Sequence, residues 1–590
     1  MLFIRVLAAL MVGALMLGAP GAAVQGAATT FTVTKTADTA DGTCDTDCSL
    51  REAITAANAN AGTDTIAFAI PGAGPHTIQP ASPLPTITDP VVIDGYTQSG
   101  ASANTNSVAS GLGLNTVLKI ELDGTNAGAS GDGLTITAGS STVRGLVLNR
   151  FLDEGLHLLT NGGNVVAGNF IGTDVAGTAV LGNGGKGIQV TSAGNTIGGT
   201  NAADRNLVSG TATGILIRSG ATGNLLQGNF VGTDATGNVG LGNTNWPSVQ
   251  LLDAPNNTVG GTETGAGNVL FNLAITGSGS TGNVVQGNLI GTNVAGTAAL
   301  GNPSNGLDIH GGASNNVIGG TTAEARNIIS GNGLHGVIIL AFASGANANV
   351  IQGNFIGTDI TGTAALGNGG LGVLIAQNGG DTGVSTDNVI GGTAEGAGNT
   401  IAFNSDRGVL VLVGTSNAIL GNSMFSNTGL GIDLSGITAN DAGDGDTGPN
   451  NGQNFPVLTS AVTGGSPIVI GGTLDSAAST DFRVEFFANS ACDASGNGEG
   501  ETFLGAATVT TDAGGSAAFS VLLTKAVSLG AAITATATDP DNNTSEFSAC
   551  VTAGPAAPVP GITLQALAGL AALLAGAFAW TVRRRRAMVV

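Results

Sequence analysis

Apolar residues in the middle of this chain come in very short runs, three to five long, each closed by Gly, Asn, Ser or Thr: Gly187-Ile188-Gln189-Val190, Asn195-Thr196-Ile197, Arg205-Asn206-Leu207-Val208, Gly214-Ile215-Leu216-Ile217 and Asn224-Leu225-Leu226-Gln227. Runs this short, bounded by residues that tolerate positive φ, predict strands joined by tight turns, and they leave no room for helices. Alternation places Ile215 and Ile217 on one face, so successive turns can stack Ile, Leu and Val inward. The pattern also repeats. A segment of about 60 residues recurs four times, carrying Gly168-Asn169-Phe170-Ile171-Gly172-Thr173-Asp174, Gly228 to Asp234, Gly287 to Asn293 and Gly353 to Asp359. A second landmark, Asn-x-(Ile/Val)-Gly-Gly-Thr, keeps step at Asn195 to Thr200, Asn257 to Thr262, Asn316 to Thr321 and Asn388 to Thr393.

Short strands at a fixed period predict a solenoid, here a right-handed parallel β-helix over residues 96–436. A turn of about 20 to 22 residues would put nearly three turns in each period and set adjacent repeats roughly 14 Å apart. Asn169, Asn229, Asn288 and Asn354 fall at matched positions, where stacked side-chain amides can hydrogen-bond from turn to turn. That is a structural role.

The pattern changes at both ends of the repeats. Ser49-Leu50-Arg51-Glu52 reads as a capping box, and Leu50, Ala53, Ile54 and Ala57 follow at helical spacing up to Asn60, predicting a short amphipathic helix that covers the open end of the coil. From Phe455 to Ala553, Ile468-Val469-Ile470, Phe482 to Phe487, Ala506 to Thr510, Ala517 to Leu523 and Ile533 to Thr538 alternate at strand spacing, which predicts an immunoglobulin-like β-sandwich over residues 455–553. Asp539-Pro540-Asp541-Asn542-Asn543 reads as a turn near its last strand.

The termini bear on location. Arg5, the apolar run Val6 to Leu17 and the small residues Gly18 to Ala28 read as a secretory signal peptide over residues 1–28. At the other end a Pro/Ala linker (554–561) precedes the apolar stretch Ile562 to Val582 and Arg583 to Arg586, so residues 562–590 predict a transmembrane helix with its arginines on the cytoplasmic side. For an exported chain the simplest pairing of the 4 cysteines is local, Cys44 with Cys48 and Cys492 with Cys550, although other connectivities are possible.

The formal charge is -22. Without the terminal segments it is about -27, a body that repels nucleic acid and anionic lipid and suits binding of divalent cations. Gly supplies 99 of 590 residues with neither a Gly-x-y period nor Pro excess, which excludes collagen.

Two resemblances add to this. Cys48-Ser49-Leu50-Arg51-Glu52-Ala53 matches the motif that names the CSLREA region of bacterial surface proteins with β-helical bodies, and Thr65-Ile66-Ala67-Phe68 continues the match, so residues 29–95 resemble that N-terminal cap. Pro560-Gly561-Ile562-Thr563-Leu564 with its apolar stretch and arginines resembles C-terminal sorting tags of the IPTL/PEP-CTERM type, although the Pro is displaced and the usual Ser-Glu-Trp continuation is absent. These resemblances imply a Gram-negative-type cell envelope, sorting machinery as a partner, and a protein anchored or released after processing.

Candidate chemistry is sparse. Asp441, Asp444 and Asp446 crowd a Gly-rich acidic linker (437–454), where oxygen ligands suit calcium, although the spacing is not that of an EF-hand. Asp308 and His310 share a strand face where another repeat carries Gln189 and Thr191, and Arg150, Asp153, Glu154 and His157 form a second polar group; Asp308, His310, Asp153 and Glu154 are the candidates for acid/base work. The repeated Asp174, Asp234 and Asp359 would stand too far apart for a glycosidase pair. The expected function is a non-enzymatic adhesin, or a protein that binds polysaccharide, extracellular matrix or another cell surface. The alternatives are a polysaccharide lyase or glycoside hydrolase working on the outer face, as parallel β-helices resembling pectate lyases do, and a structural spacer.

Overall fold

The computed structural model describes residues 27–107, 110–129, 131–243, 247–436, 439–555, 571–580 and 583. It divides into two compact units, Met1–Asn302 and Pro303–Val590.

The first unit is a three-faced coil of parallel strands, the kind of sheet a right-handed β-helix forms. Among the described residues its first face has nine strands, from Thr30–Val33 to Val284–Gln286, its second face eight, from His76–Ile78 to Leu289–Ile290, and its third face six, from Leu134–Ile136 to Leu273–Thr276. Alternation sets the core: Ile188, Val190, Ile215 and Ile217 of the third face are fully buried, as are Val166 and Ile197 of the first. The coil starts earlier than the sequence indicates. Thr30–Val33 pairs in parallel with Asp64–Phe68, which pairs with Val91–Asp94, so residues 29–95 form the opening turns of the coil as well as its cap. The helix Leu50–Ala59 packs against the first two of these strands with its capping box complete: Glu52 N donates to Ser49 Oγ at 3.2 Å and Ser49 N to Glu52 Oε2 at 2.7 Å.

Turn length also differs from expectation. Thr196 pairs with Leu225, Leu225 with Thr258, and Thr258 with Val284, so one turn takes about 30 residues and the repeat is two turns, not nearly three. Adjacent repeats therefore lie about 9.6 Å apart. From Phe170–Ile171 onward the extra residues go into a loop that follows every other second-face strand and folds back on itself, closed by the antiparallel bridges Thr173↔Val180, Thr233↔Gly240 and Thr292↔Ala299. Beneath these loops the outward-facing Phe170, Leu207, Phe230 and Val269 form a second apolar cluster.

Asparagine ladders tie the turns together. Asn164, Asn195, Asn224 and Asn257 each donate from Nδ2 to the Oδ1 of the next, at 2.9, 2.8, 2.9 and 3.3 Å, ending on Asn283. A parallel ladder runs from Asn169 through Asn206, Asn229 and Asn268 to Asn288. These amides are buried, and the ladder supplies partners that their corners would otherwise lack.

The second unit continues with the same three kinds of face. Among the described residues these have four strands from Val317–Gly319 to Ala418–Leu420, four from Ile328–Ile329 to Ser423–Phe425, and five from Leu307–His310 to Ile432–Asp433. A sandwich follows. Val457–Thr463, Ile468–Asp475 and Ser516–Leu523 form one antiparallel sheet; Thr502–Thr510, Asp481–Asn489, Ala532–Thr538 and Val551–Thr552 form the other. Ile470, Leu474, Phe482, Phe486 and Ile533 fill the space between them. Disulfides join Cys44 to Cys48 and Cys492 to Cys550.

Among the described residues no helix is long and apolar enough to cross a membrane. Of the span expected at residues 562–582 only 571–580, a short helix, is described, so that span has no support there; the signal segment lies outside the described residues up to residue 26.

Candidate functional site

Third-face strands begin with a shared pattern in which a Gly stands before the first inward residue: Asp132-Gly133-Leu134-Thr135, Glu154-Gly155-Leu156-His157 and Lys186-Gly187-Ile188-Gln189. Gly is required there because a Cβ at Gly133 would come within 2.3 Å of the Gly155 carbonyl oxygen. Since Leu134 pairs with Leu156 and Leu156 with Ile188, the residues around the glycines fall into columns, Asp132, Glu154, Lys186 in one and Thr135, His157, Gln189 in the other.

These columns form a compact polar cluster on the outer side of the third face. Asp132 Oδ2 accepts from Thr135 Oγ1 at 2.7 Å and lies 3.4 Å from His157 Nδ1; Asp132 Oδ1 accepts from Glu154 N at 3.2 Å. Gln189 Nε2 lies 3.2 Å from His157 Nε2, and Lys186 Nζ lies 3.4 Å from Glu154 Oε1. Burial pushes the Glu154 carboxyl up to about 7, with Asp153 and Asp132 adding to the effect, whereas hydrogen bonds led by His157 and Thr135 outweigh burial at Asp132 and hold it below its usual range. Donor atoms of Asp132, Glu154 and His157 all lie within 4.8 Å of one another. Of the sequence candidates, Glu154 and His157 belong here with Asp153 alongside, while Arg150 pairs elsewhere, with Asp123 at 2.9 Å. Asp132, Lys186 and Gln189 were not anticipated, and the x-Gly-(Leu/Ile) alignment was the signal that would have joined them.

Asp308 and His310 lie on the outer side of the third face in the second unit, since Leu307 and Ile309 are the fully buried pair. Asp308 is only 6% exposed; Oδ1 accepts from Asn305 Nδ2 at 3.0 Å and Oδ2 has no partner, and burial pushes the carboxyl up to about 7. His310 stacks edge-on against Phe342 at 5.2 Å, and burial lowers its pKa. Their register partners are Ile338 and Leu340, part of an apolar strip with Leu374 and Leu410. No hydrogen bond joins Asp308 to His310 among the described contacts.

The repeated acids are loop residues. Asp174 Oδ1 accepts from Thr178 N at 2.7 Å and Ala179 N at 2.9 Å, and Asp234 and Asp359 accept within their own loops in the same way. Two turns per repeat set Asp174 and Asp234 about 9.6 Å apart, nearer than expected, and their engagement within their own loops removes them from catalysis. Asp539 likewise serves its turn, accepting from Asn543 N and Nδ2, both at 2.8 Å.

Asp441, Asp444 and Asp446 do converge, with one oxygen of each within 4.8 Å of the others. Asp444 accepts from Asn454 N at 3.1 Å, from Gln453 Nε2 at 2.7 Å and from the Ser476 hydroxyl, and Gly445 N donates to Asp441 Oδ2 at 3.1 Å. Asp441 Oδ1 and Asp446 Oδ1 are shielded from solvent without a hydrogen-bond donor. Burial first, then mutual repulsion, raises the pKa of Asp444 and Asp446. Orphaned oxygens on an all-oxygen donor set fit a hard cation such as calcium.

No protein-family model matches the sequence, and no curated protein matches it. Among solved structures the chain is similar to tailspike protein 2 of an Escherichia coli O157:H7 bacteriophage (12% identity, 87% of this chain and 67% of that one, TM-score 0.32). It is also similar to the A-module of a mannuronan C-5 epimerase from Azotobacter vinelandii (13%, 66% and 92%, TM-score 0.25) and to a tailspike of an Acinetobacter baumannii bacteriophage described as a capsular polysaccharide depolymerase (11%, 73% and 79%, TM-score 0.23). Likenesses of this size carry no argument about the function of this chain.

Proposed function

We propose that this is an exported protein of a Gram-negative-type cell envelope, anchored or released after processing of its C-terminal tail, that binds extracellular polysaccharide without turning it over. The observation that carries the reading is the contrast between faces. The second face is covered by its own folded-back loops, whereas outward residues of the third face, such as Thr135, His157 and Gln189, offer hydroxyl, imidazole and amide groups in a row across neighbouring strands. Such a row suits an extended, polyhydroxylated chain.

Binding is favoured over hydrolysis because both oxygens of Asp132 already accept hydrogen bonds, from Thr135 Oγ1 and Glu154 N, and Glu154 faces Lys186, which leaves neither carboxylate free to serve as nucleophile or base. In this reading the sandwich is an immunoglobulin-like accessory domain and calcium sits at Asp441, Asp444 and Asp446, fixing the linker to the loop that carries Ser476. The test is retention and turnover of a polysaccharide panel by the intact protein, with His157→Ala and Lys186→Ala beside it. Retention that weakens in both variants supports the proposal; release of reducing or unsaturated ends would replace it with an enzyme.

A further inference from the structure

Between Phe455 and Ala553 the chain carries many carboxylates and only two basic residues, Arg483 and Lys525. Both line the same cavity, of about 380 Å³, formed where the glycine-rich corner at residues 392–398 meets the sandwich. Arg483 binds the buried Glu485 through Nε and Nη2, each at 2.8 Å from Oε1. Its Nη1 hydrogens have no partner among the described contacts. Lys525 Nζ donates to the Phe503 carbonyl at 2.7 Å and lies 5.6 Å from the centre of the Phe503 ring, which uses one of three donors. Half-buried Phe503 lines the cavity too, and exposed Thr393 and Glu395 stand on its coil side.

Part of the coil side is bare backbone for a steric reason: a Cβ at Gly398 would come within 2.0 Å of the Gly421 carbonyl oxygen, and one at Gly421 within 2.7 Å of the Gly392 oxygen. The cavity therefore stays open, with cationic donors, an aromatic ring, a hydroxyl and a carboxylate around it. Its volume falls in the range of small-molecule sites. Both cations of an acidic domain therefore line one cavity, Arg483 held by Glu485 and Lys525 by a carbonyl, so Lys525 carries the positive charge that no carboxylate pairs among the described contacts.

We infer that this cavity binds a carboxylate-bearing sugar unit. The carboxylate is met by Lys525 and the outer edge of Arg483, the apolar face of the ring lies on Phe503, and hydroxyls reach Thr393 and Glu395. The inference rests on the polysaccharide reading above and names a substrate class and a second site for it.

Calorimetric titration of the intact protein tests it, with oligomers of glucuronate and galacturonate, a neutral glucose oligomer of equal length, and sodium sulfate. The expected result is uronate binding that weakens with salt, at least tenfold weaker binding of the neutral oligomer and of sulfate, and at least tenfold loss in Lys525→Gln, a variant that leaves the Arg483 pair with Glu485 in place. Lys525→Arg should retain binding, and thermal unfolding checks that both variants are folded. Absence of uronate binding, equal binding of the neutral oligomer or of sulfate, or unchanged affinity in Lys525→Gln overturns the inference. His157→Ala separates the two sites: uronate binding lost there and kept in Lys525→Gln places the sugar on the third face and not in this cavity, while third-face retention failing with cavity binding intact overturns only the earlier reading.

Discussion

Asn427 gives both its backbone N–H and its side-chain amide to the carboxylate of Glu499, at 3.0 and 2.8 Å. This is where a ladder stops. Asn332, Asn368 and Asn404 pass amide hydrogen bonds along successive turns, each at 2.9 Å, until Asn427 donates not to another asparagine but to a sandwich carboxylate. Glu485 and Glu546 do the same for Gly421 N and Leu434 N, at 2.8 and 3.0 Å. The last turn thus finds acceptors on the sandwich instead of presenting free strand edges.

Burial pushes Glu499 up to about 7, with Asp493 and Glu501 reinforcing it against the pull of Asn427. A carboxyl raised on folding stabilises fully below its unfolded pKa near 4.5 and loses that contribution as pH rises through about 7. Urea unfolding followed by circular dichroism should show stability falling from pH 5 to pH 8, and a smaller fall in Glu499→Gln.

Glu154 behaves in the same direction, because burial and two neighbouring carboxylates raise it to about 7. Replacing it with a neutral isostere removes the ionisation that costs stability at high pH. Glu154→Gln is therefore expected to melt at a higher temperature than the parent at pH 8 and to differ little at pH 5, as read by differential scanning calorimetry.

Asn229 sits within a ladder, donating to Asn268 Oδ1 at 3.0 Å and to the Ile197 carbonyl at 2.8 Å while accepting from Asn206 at 2.9 Å. Asn229→Ala orphans buried groups on both neighbouring turns at about 1–3 kcal/mol each. Asn378→Ala, at an exposed turn where its side chain meets only Asp381, should cost less than about 0.5 kcal/mol. Denaturant midpoints of the two variants, compared with the parent, check the difference.

Calcium at the three aspartates is expected to raise the melting temperature and chelator to lower it. A site filled at a hundred times its Kd adds about 2.7 kcal/mol. Asp441→Asn combined with Asp446→Asn removes two of the three carboxylates, so calcium should then leave the melting curve unmoved.

Local signals in the sequence led directly to local structure. Ser49 and Glu52 form the capping box they spell and Cys44 pairs with Cys48, contacts that close spacing sets, while Asn169 and Asn229 join one ladder through Asn206 because they recur at matched positions of the repeat. Turn length was misread because a rung of about 20 to 22 residues leaves no room for the residues from Thr173 to Val180, which Asp174 gathers into a loop lying over Phe170. Asp132 was missed because its nearness to Glu154 comes from strand register, which shows in the sequence only when the x-Gly-Leu segments of separate turns are set side by side. Arg483 and Gly396 stand far apart in the chain, so the cavity they share could be seen only once the sandwich was placed on the coil.

The loops closed by Thr173↔Val180 and its repeats have a bearing on how such a chain can change in length. Only every other turn carries one, so deleting a single turn would bring together two loop-bearing turns or two bare ones, and the apolar cluster around Phe170 and Phe230 would lose its alternation. With the first turns committed to the helix and the last to the sandwich, a change that preserves both ends must add or remove interior pairs of turns. A change of length that keeps the alternation therefore comes in steps of about 60 residues.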